Sequence, residues 1–161
     1  MNDRWLFVLL FAAAIGSGMI AGLFYAFSTF IMQALGRLST AAGAAAMQSI
    51  NTTILNPLFF SLFFGTAVAC LIVLIAALVA PEPPGALCAV IGGALYLVGA
   101  IGVTMAFNVP LNNALAATNP TSVDGDAVWR SYLVRWTRWN HVRTLASLAA
   151  AVALTVALCA R

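Results

Sequence analysis

The chain carries very little charge. Only 7% of its 161 residues are charged, it contains no lysine, and its cations are seven arginines set against four acidic residues. A soluble domain carries about 25% charged residues. The few cations are also too scattered to form the soluble basic face that a nucleic acid would need. The composition therefore excludes an ordinary soluble domain, and we predict no nucleic-acid partner.

Residues that could hold a metal are equally scarce. Histidine occurs once, as His141, and the apolar segments contain no acidic residue. That supply cannot build an iron or zinc site with several protein ligands. Buried cysteines usually behave as small hydrophobic residues, and the three here lie in apolar segments without C-x-x-C spacing: Cys70, Cys88 and Cys159. We predict no metal and no cofactor. Haem is the alternative, held by His141 with a weak partner such as Met105 or Tyr25.

Several other functions lack their motifs. The chain has no glycine-rich loop for a nucleotide and no paired carboxylates for glycosidase chemistry. It also has no series of intramembrane acids of the kind that proton-driven transporters use. These absences argue against the corresponding enzymes and against a proton-driven carrier.

What the chain does contain is four long apolar runs. Hydrophobic residues make up 63% of it, with a mean hydropathy of +1.03. A membrane-spanning helix needs about 20 apolar residues, and runs of that kind cover residues 5–35, 56–80, 86–107 and 140–160. We predict one all-α domain over residues 1–161, an integral membrane four-helix bundle in contact with the lipid bilayer. The first run is too long for a signal peptide and is interpreted as an uncleaved span.

Two shorter helices are predicted outside these spans. Residues 37–55 are rich in Ala, Gly, Ser and Thr, and we expect a short interfacial helix there. Asn56 then caps the second span, with Pro57 as its first residue. A proline-rich turn, residues 81–85, follows that span, and residues 108–113 (Asn-Val-Pro-Leu-Asn-Asn) are expected to end the third.

The segment before the fourth span is predicted to be amphipathic. After an expected loop at residues 114–126, residues 127–139 form a helix on which the aromatic side chains share one face. That face comprises Trp129, Tyr132, Leu133 and Trp136, and the arginines that lie away from it are Arg130, Arg135 and Arg138.

The distribution of arginines predicts the topology. Only Arg4 and Arg161 lie at the face of the membrane that carries the termini. The opposite face carries the larger group: Arg37, Arg130, Arg135, Arg138 and Arg143. Because cytoplasmic loops are enriched in basic residues, we expect both termini outside and both long connectors in the cytoplasm. The chain would then lie in a bacterial inner membrane.

Small residues predict close helix contacts. Gly18 and Gly22 have the small-xxx-small spacing that lets two helices approach, and Tyr25 and Thr29 continue the same stripe. The run from Gly92 to Gly102 has a similar composition. The same residues would permit a homo-oligomer as readily as packing within one chain.

Polar side chains converge at the membrane face that carries the connectors. The ends of the first and third runs and the starts of the second and fourth meet there, and bundle interiors commonly hold ligands. We expect a polar, aromatic-lined pocket near this face. The alternative is that these residues are interfacial caps with an aromatic belt. The candidates are Tyr25, Thr29, Asn56, Asn108, Asn112, Asn113, Trp136, Trp139, Asn140, His141 and Arg143.

A helical wheel separates two of the strongest candidates. At about 100° per residue, Arg143 and Asn140 fall on the side of Trp136, whereas His141 lies about 160° from Arg143. Both side chains can enter one pocket only if the helix breaks near Trp139. Otherwise His141 faces different neighbours.

Four strings in the chain resemble one protein family. They are residues 22–28 (Gly-Leu-Phe-Tyr-Ala-Phe-Ser), 47–51 (Met-Gln-Ser-Ile-Asn), 107–113 (Phe-Asn-Val-Pro-Leu-Asn-Asn) and 136–144 (Trp-Thr-Arg-Trp-Asn-His-Val-Arg-Thr). Together they resemble the anthrone oxygenase-like family of small four-span membrane proteins. The resemblance extends over almost the whole chain.

The resemblance implies oxidation of an anthrone to an anthraquinone by molecular oxygen. An enolate formed from the substrate can itself reduce oxygen, so the reaction needs no metal. His141 would accept the proton, since an imidazole can do so near neutral pH. Arg143 with Asn108 or Asn112 would stabilise the resulting oxyanion. The remaining candidates would bind the substrate, with its flat rings stacked on aromatic side chains: Tyr25, Thr29, Asn56, Asn113, Trp136, Trp139 and Asn140.

Two classes of function remain open from the sequence. The first is a cofactor-independent membrane oxygenase that acts on a lipophilic aromatic small molecule. The second is a non-enzymatic membrane protein that binds a lipid, a quinone or haem.

Overall fold

The computed structural model describes residues 3–81 and 84–160, which form helices joined by short turns. Four of these helices are long and apolar enough to cross a membrane, and we number them spans 1 to 4: Arg4–Gly36, Pro57–Val79, Ala86–Ala116 and Asp124–Cys159. Spans 1 and 3 each pack against spans 2 and 4, so the bundle follows chain order around its axis. The prediction of an all-α four-helix membrane bundle is confirmed.

The connector between spans 1 and 2 is helical, as expected. The connector helix, Thr40–Thr53, begins after Ser39, whose hydroxyl accepts from the backbone N–H of Ala42 at 3.4 Å. Asn56 Oδ1 accepts from the backbone N–H of Phe59 at 3.0 Å, and Pro57 opens span 2. The predicted cap is therefore confirmed. It satisfies a backbone donor that has no partner within the helix.

Span 3 does not end at Asn108, and that prediction is wrong. The span consists of an α-helix (Ala86–Ala94), two π-helical stretches (Leu95–Gly102 and Thr104–Asn108) and a final α-helix (Val109–Ala116). Proline removes a backbone donor and crowds the preceding turn of an α-helix. Here the preceding turn is the wider π type, in which the Val109 N–H donates to the Thr104 carbonyl. The helix therefore continues through Pro110.

Span 4 is one unbroken helix, Val123–Cys159, which Ser122 caps by accepting from the backbone N–H of Gly125 at 3.0 Å. The predicted amphipathic helix and the predicted fourth span are therefore a single element, and the expected loop is limited to residues 117–122. The aromatic face was predicted correctly. Trp129, Tyr132 and Trp136 are buried, Leu133 is half-buried, and the arginines at positions 130, 135 and 138 are exposed.

Two separate hydrophobic cores hold the chain together. The membrane core lies along the four spans and includes Leu10, Phe24, Phe63 and Leu154. A second core, the cap core, forms where the connector helix meets the ends of spans 1 and 3 and the start of span 4. It consists of Met32, Leu35, Ala44, Met47, Leu115, Trp129, Tyr132 and Trp136. The boundary between these cores is the level at which polar side chains gather.

Close helix contacts occur within the run from Gly92 to Gly102, as predicted, but not at Gly18 and Gly22. Gly18 and Gly22 face outward, and a Cβ added at Gly22 would meet no atom within 4 Å. The prediction that this pair permits close packing is therefore wrong within the chain. At Gly93, by contrast, an added Cβ would lie 2.9 Å from the Cys70 carbonyl oxygen. Similar close approaches involve Gly16, Gly92 and Gly99.

Span 3 begins at a glycine that the turn requires. Gly85 has φ +83°, a conformation that side-chain-bearing residues rarely adopt. Two residues of the predicted proline-rich turn, Glu82 and Pro83, lie outside the described residues. Arg161, which was used to predict the topology, also lies outside them.

Gly93 and Gly22 offer a matched pair for testing the bundle. Gly93→Ala is expected to lower stability by about 1–3 kcal/mol, because the added methyl group overlaps the backbone of span 2 and forces spans 2 and 3 apart. Gly22→Ala is expected to be neutral or slightly stabilising, since alanine favours helices and the position is open. Thermal unfolding midpoints in detergent measure both. Equal midpoints for the two variants would contradict the packing described here.

Candidate functional site

The polar centre of the fold is Arg143, whose side chain is only 5% exposed. Its Nη1 donates to Thr104 Oγ1 at 3.1 Å, and its Nη2 donates to Asn140 Oδ1 at 2.7 Å. Both acceptors are neutral. Within residues 3–81 and 84–160 the salt bridge is between exposed Arg130 and Asp126, and no carboxylate reaches Arg143. A buried charge without a counter-ion is strongly unfavourable, so an arginine held in this way indicates a functional constraint.

Aromatic rings line the guanidinium. Its central carbon lies 4.2 Å from the ring centroid of Phe24 and 4.9 Å from that of Trp136. Such cation–π contacts stabilise a desolvated cation by roughly 2 kcal/mol. Phe27 extends this wall, with its ring centroid 5.6 Å from that of Trp136. The site therefore combines one positive charge with flat apolar surfaces.

Asn140 joins span 4 to span 1 beside the arginine. Its Nδ2 donates to the Phe24 carbonyl at 2.7 Å and to Ser28 Oγ at 2.8 Å. The Ser28 hydroxyl also lies 3.0 Å from Thr144 Oγ1, which donates to the Asn140 carbonyl at 2.8 Å. Asn140 thus uses its amide nitrogen to bind span 1 and its amide oxygen to orient Arg143.

Three of the residues that meet span 4 at this site lie in π-helical stretches. Ser28 belongs to the stretch Phe27–Ile31 of span 1, and Thr104 and Asn108 belong to the stretch Thr104–Asn108 of span 3. Single π turns within α-helices frequently occur at functional sites because they redirect side chains. Spans 1 and 3 thus both contain a π-helical stretch at the level of Arg143.

Several buried polar atoms around the arginine have no hydrogen-bond partner among the described residues. They include Asn108 Oδ1, Trp136 Nε1 and Arg143 Nε, and Ser147 Oγ lies one helical turn further into the membrane. Asn108 Nδ2 meanwhile donates to the Trp136 carbonyl at 3.3 Å. Leaving such a group unpaired costs about 1–3 kcal/mol. Two N–H donors and one acceptor on neighbouring side chains are therefore without partners in the described part of the chain.

The structure brings together four of the predicted site residues: Asn108, Trp136, Asn140 and Arg143. Two more lie at its edges. Trp139 is half-buried and stacks on Phe107 with 3.6 Å between ring centroids. Asn112 lies beside the cap core, where its Oδ1 accepts a hydrogen bond from the Tyr132 hydroxyl at 2.8 Å.

Other predicted site residues lie apart from Arg143. Tyr25 and Asn113 are exposed, and Thr29 donates its hydroxyl hydrogen to the Tyr25 carbonyl at 2.8 Å. Asn56 serves as the helix cap described above. These placements give no support to a shared pocket that includes them.

His141 also lies outside the cluster. It is exposed, and because span 4 is continuous it points about 160° away from Arg143. The helix break that would have united the two side chains does not occur. The predicted role of His141 as catalytic base therefore has no geometric basis in this fold.

Thr104 and Phe24 are site residues that the sequence analysis missed. Thr104 lies four residues before the candidate Asn108 and so shares a helix face with it. Phe24 lies four residues before the polar residue Ser28, within the string of residues 22–28 that carries the family resemblance. The helical repeat was thus a signal that could have found them. Their contacts with Arg143 nevertheless depend on how the spans pack.

A cavity of about 700 Å³ lies at the opposite end of the bundle. All four spans contribute to it, and its lining is apolar, with Leu10, Val73, Ala89 and Ala157 among the residues. This cavity was not predicted, since the polar residues of the sequence placed the site at the connector face. The described residues that line the cavity include no charged group that could serve in catalysis.

Substitution of Tyr132 tests the hydrogen bonds that join the start of span 4 to the connector helix and to span 3. Its hydroxyl donates to Asn112 Oδ1. The same hydroxyl accepts a hydrogen bond from Asn51 Nδ2 of the connector helix at 3.4 Å. Tyr132→Phe is therefore expected to lower the free energy of unfolding by about 1 kcal/mol. Tyr25→Phe is the control, because the Tyr25 hydroxyl is exposed and makes no hydrogen bond within the described residues. Thermal unfolding compares them, and a larger effect at Tyr25 would contradict the assignment.

Comparison with known proteins gives one result. The family model described as anthrone oxygenase matches residues 59–153, which is more than half of the chain and includes Asn108, Trp136, Asn140 and Arg143. No curated protein and no solved structure matches. With its four apolar spans and this match, the chain belongs to the anthrone oxygenase family.

Proposed function

We propose that the protein is a membrane oxidoreductase that uses molecular oxygen to oxidise a lipophilic aromatic substrate of the anthrone type, without a metal. The observation that carries the proposal is Arg143, a buried cation that lies against aromatic rings and has only neutral hydrogen-bond partners. Membership of the anthrone oxygenase family supports the same reaction class.

The reaction balances without any further reductant. One ring CH₂ group and one O₂ give one ring C=O group and one water. Loss of a proton from the CH₂ carbon gives an enolate, which transfers electrons to O₂ and forms a carbon-bound peroxide. The terminal oxygen of the peroxide takes up the second hydrogen as a proton while the O–O bond breaks, which leaves the carbonyl and hydroxide. The hydroxide then forms water with the first proton. Each step places negative charge on oxygen, and the protein can accelerate it by stabilising that charge.

Arg143 is the residue best placed for this task. Among the described residues, its Nε–H and the indole N–H of Trp136 have no acceptor. A charge-assisted hydrogen bond is roughly twice as strong as a neutral one. Asn108 would contribute its free Oδ1 to a substrate hydroxyl. The rings of Trp136 and Trp139 would hold the flat body of the substrate, which arrives through the bilayer.

We further propose an inner-membrane location with both termini outside. The exposed arginines of the described residues support this orientation, because Arg37, Arg130, Arg135 and Arg138 lie on the connector side. Fusion of alkaline phosphatase to the C-terminus tests it, since the enzyme folds only outside the cytoplasm. An active fusion is expected, and an inactive but expressed fusion would reverse the orientation.

Arg143→Gln should reduce turnover strongly. Oxygen consumption with an anthrone in detergent is expected to fall by about 10²–10³-fold in kcat, the effect of removing one donor to a developing oxyanion. Arg135→Gln removes an exposed arginine of the same helix and should retain the wild-type rate. A wild-type rate in folded Arg143→Gln protein would contradict the proposed role.

His141→Ala should retain the wild-type rate. The imidazole is exposed on the far face of span 4 and cannot reach a substrate held against Arg143. The same oxygen-consumption assay measures the effect. A loss of about 10²-fold or more would restore the histidine as general base and would require a bend in span 4.

A second candidate function is that of a binding protein for a lipid or a quinone, and the apolar cavity of about 700 Å³ favours it. Organic extracts of the purified protein would then contain one such molecule per chain, and no anthrone tested would be oxidised. A Soret band in the visible spectrum would instead indicate haem. Anthrone turnover at the Arg143 site would contradict a purely binding role.

A further inference from the structure

We propose that the Arg143 site binds its ligand as a preformed aromatic monoanion, and that the ligand loses its proton to water before it enters. The class comprises flat aromatic carboxylates, phenolates and enolates. The inference rests on the proposed function in taking the same site as the substrate site. It adds the ionisation state in which the ligand is recognised.

The charge of the site favours an anionic ligand. Arg143 is buried, and its two terminal nitrogens donate to the neutral oxygens of Thr104 and Asn140. Without a ligand, the described part of the chain leaves one positive charge uncompensated in a water-poor setting. One negative charge on the ligand completes the site, because the paired charges no longer carry the penalty of an isolated buried ion.

The hydrogen-bond donors of the site also favour an oxyanion. Arg143 Nε and Trp136 Nε1 are both buried and have no partner among the described residues. Both are N–H groups, and neither can accept a hydrogen bond. Since Thr104 and Asn140 already fix the other two nitrogens, the guanidinium is held in one orientation with its Nε–H free. Such an arrangement suits an oxyanion, whose oxygens accept more hydrogen bonds than a protonated acid can.

The surroundings of the guanidinium favour a ligand with an apolar aromatic body. The rings of Phe24 and Trp136 lie 4.2 and 4.9 Å from the guanidinium carbon, and both residues are buried. A small hydrated anion would have to lose its water to reach the arginine through such surroundings. An aromatic anion is better suited, because its ring is compatible with neighbouring aromatic side chains while its oxygen faces the arginine.

Among the described residues, no side chain that could take up a proton forms a hydrogen bond or an ion pair with Arg143. His141 and Asp124 are exposed, and Asp126 is paired with Arg130. Tyr132 stacks on Trp136, but its hydroxyl donates to Asn112. A neutral acid bound at the site would therefore keep its proton and could not neutralise the arginine.

Binding of two probes of the same shape tests the proposal. The probes are 2-naphthoate, an anion, and 2-naphthamide, its neutral counterpart, and quenching of tryptophan fluorescence in detergent at neutral pH gives both dissociation constants. Wild-type protein should bind 2-naphthoate at least about tenfold more tightly, the difference expected between charge-assisted and neutral hydrogen bonds. Arg143→Gln should lose this preference, and Arg135→Gln, which removes an exposed arginine, should retain it.

A second pair of variants keeps the arginine in place. Thr104→Asp positions a carboxylate where Arg143 Nη1 now donates to a hydroxyl, so the protein supplies its own counter-ion. Thr104→Asn has nearly the same size and no charge. The preference for 2-naphthoate should be at least about tenfold smaller in the aspartate variant than in the asparagine variant. This comparison remains decisive even if Arg143→Gln does not fold.

Three results would overturn the proposal: equal affinity of the wild type for both probes, an undiminished preference in folded Arg143→Gln, or the same preference in the two Thr104 variants. The naphthalene probes have no acidic C–H group, so the measurement is independent of turnover. A protein that prefers 2-naphthoate but oxidises no anthrone supports this inference and contradicts the proposed oxidoreductase. Turnover without anion preference contradicts this inference alone.

Discussion

A single buried cation constrains the rest of this structure. Arg143 lies on the membrane-spanning side of the cap, and its charge is held by neutral oxygens from spans 3 and 4 and by the faces of two aromatic rings. Neutral partners and rings stabilise a desolvated cation less well than a carboxylate would. Stability alone would favour a hydrophobic residue at this position, so the arrangement is best explained by what the arginine can bind.

The two hydrophobic cores explain how such a site stays closed to water. The membrane core holds the spans together, whereas the cap core covers the connector end with large aromatic side chains. Between these cores, spans 1 and 3 both adopt π-helical turns, and these turns carry Ser28, Thr104 and Asn108 toward span 4. A regular α-helix would orient these side chains differently. The π-helical stretches of spans 1 and 3 therefore help to form the polar centre around Arg143.

The sequence predicted most of the fold because its strongest signals are local. Apolar runs identified the spans, the Asn56-Pro57 pair identified a cap, and the wheel placed Arg143 and Asn140 with Trp136 and placed His141 elsewhere. The errors concern features set by tertiary packing. The expected stop at Pro110 was wrong because a π turn absorbs the proline, and Gly18 and Gly22 face outward. The contacts of Thr104 and Phe24 with Arg143 depend on how spans 1, 3 and 4 dock.

The central claim is that Arg143 and Trp136 present two free N–H groups to one bound oxyanion. Side-chain ¹⁵N–¹H resonances in detergent micelles report on it directly, since the chain has only four tryptophans and substitution of Trp136 or Arg143 assigns each signal. Addition of 2-naphthoate should shift the Trp136 indole and Arg143 Nε–H signals together, at the same ligand concentration. The other three indole signals should move less. Binding that leaves the Trp136 and Arg143 signals unchanged would contradict the account.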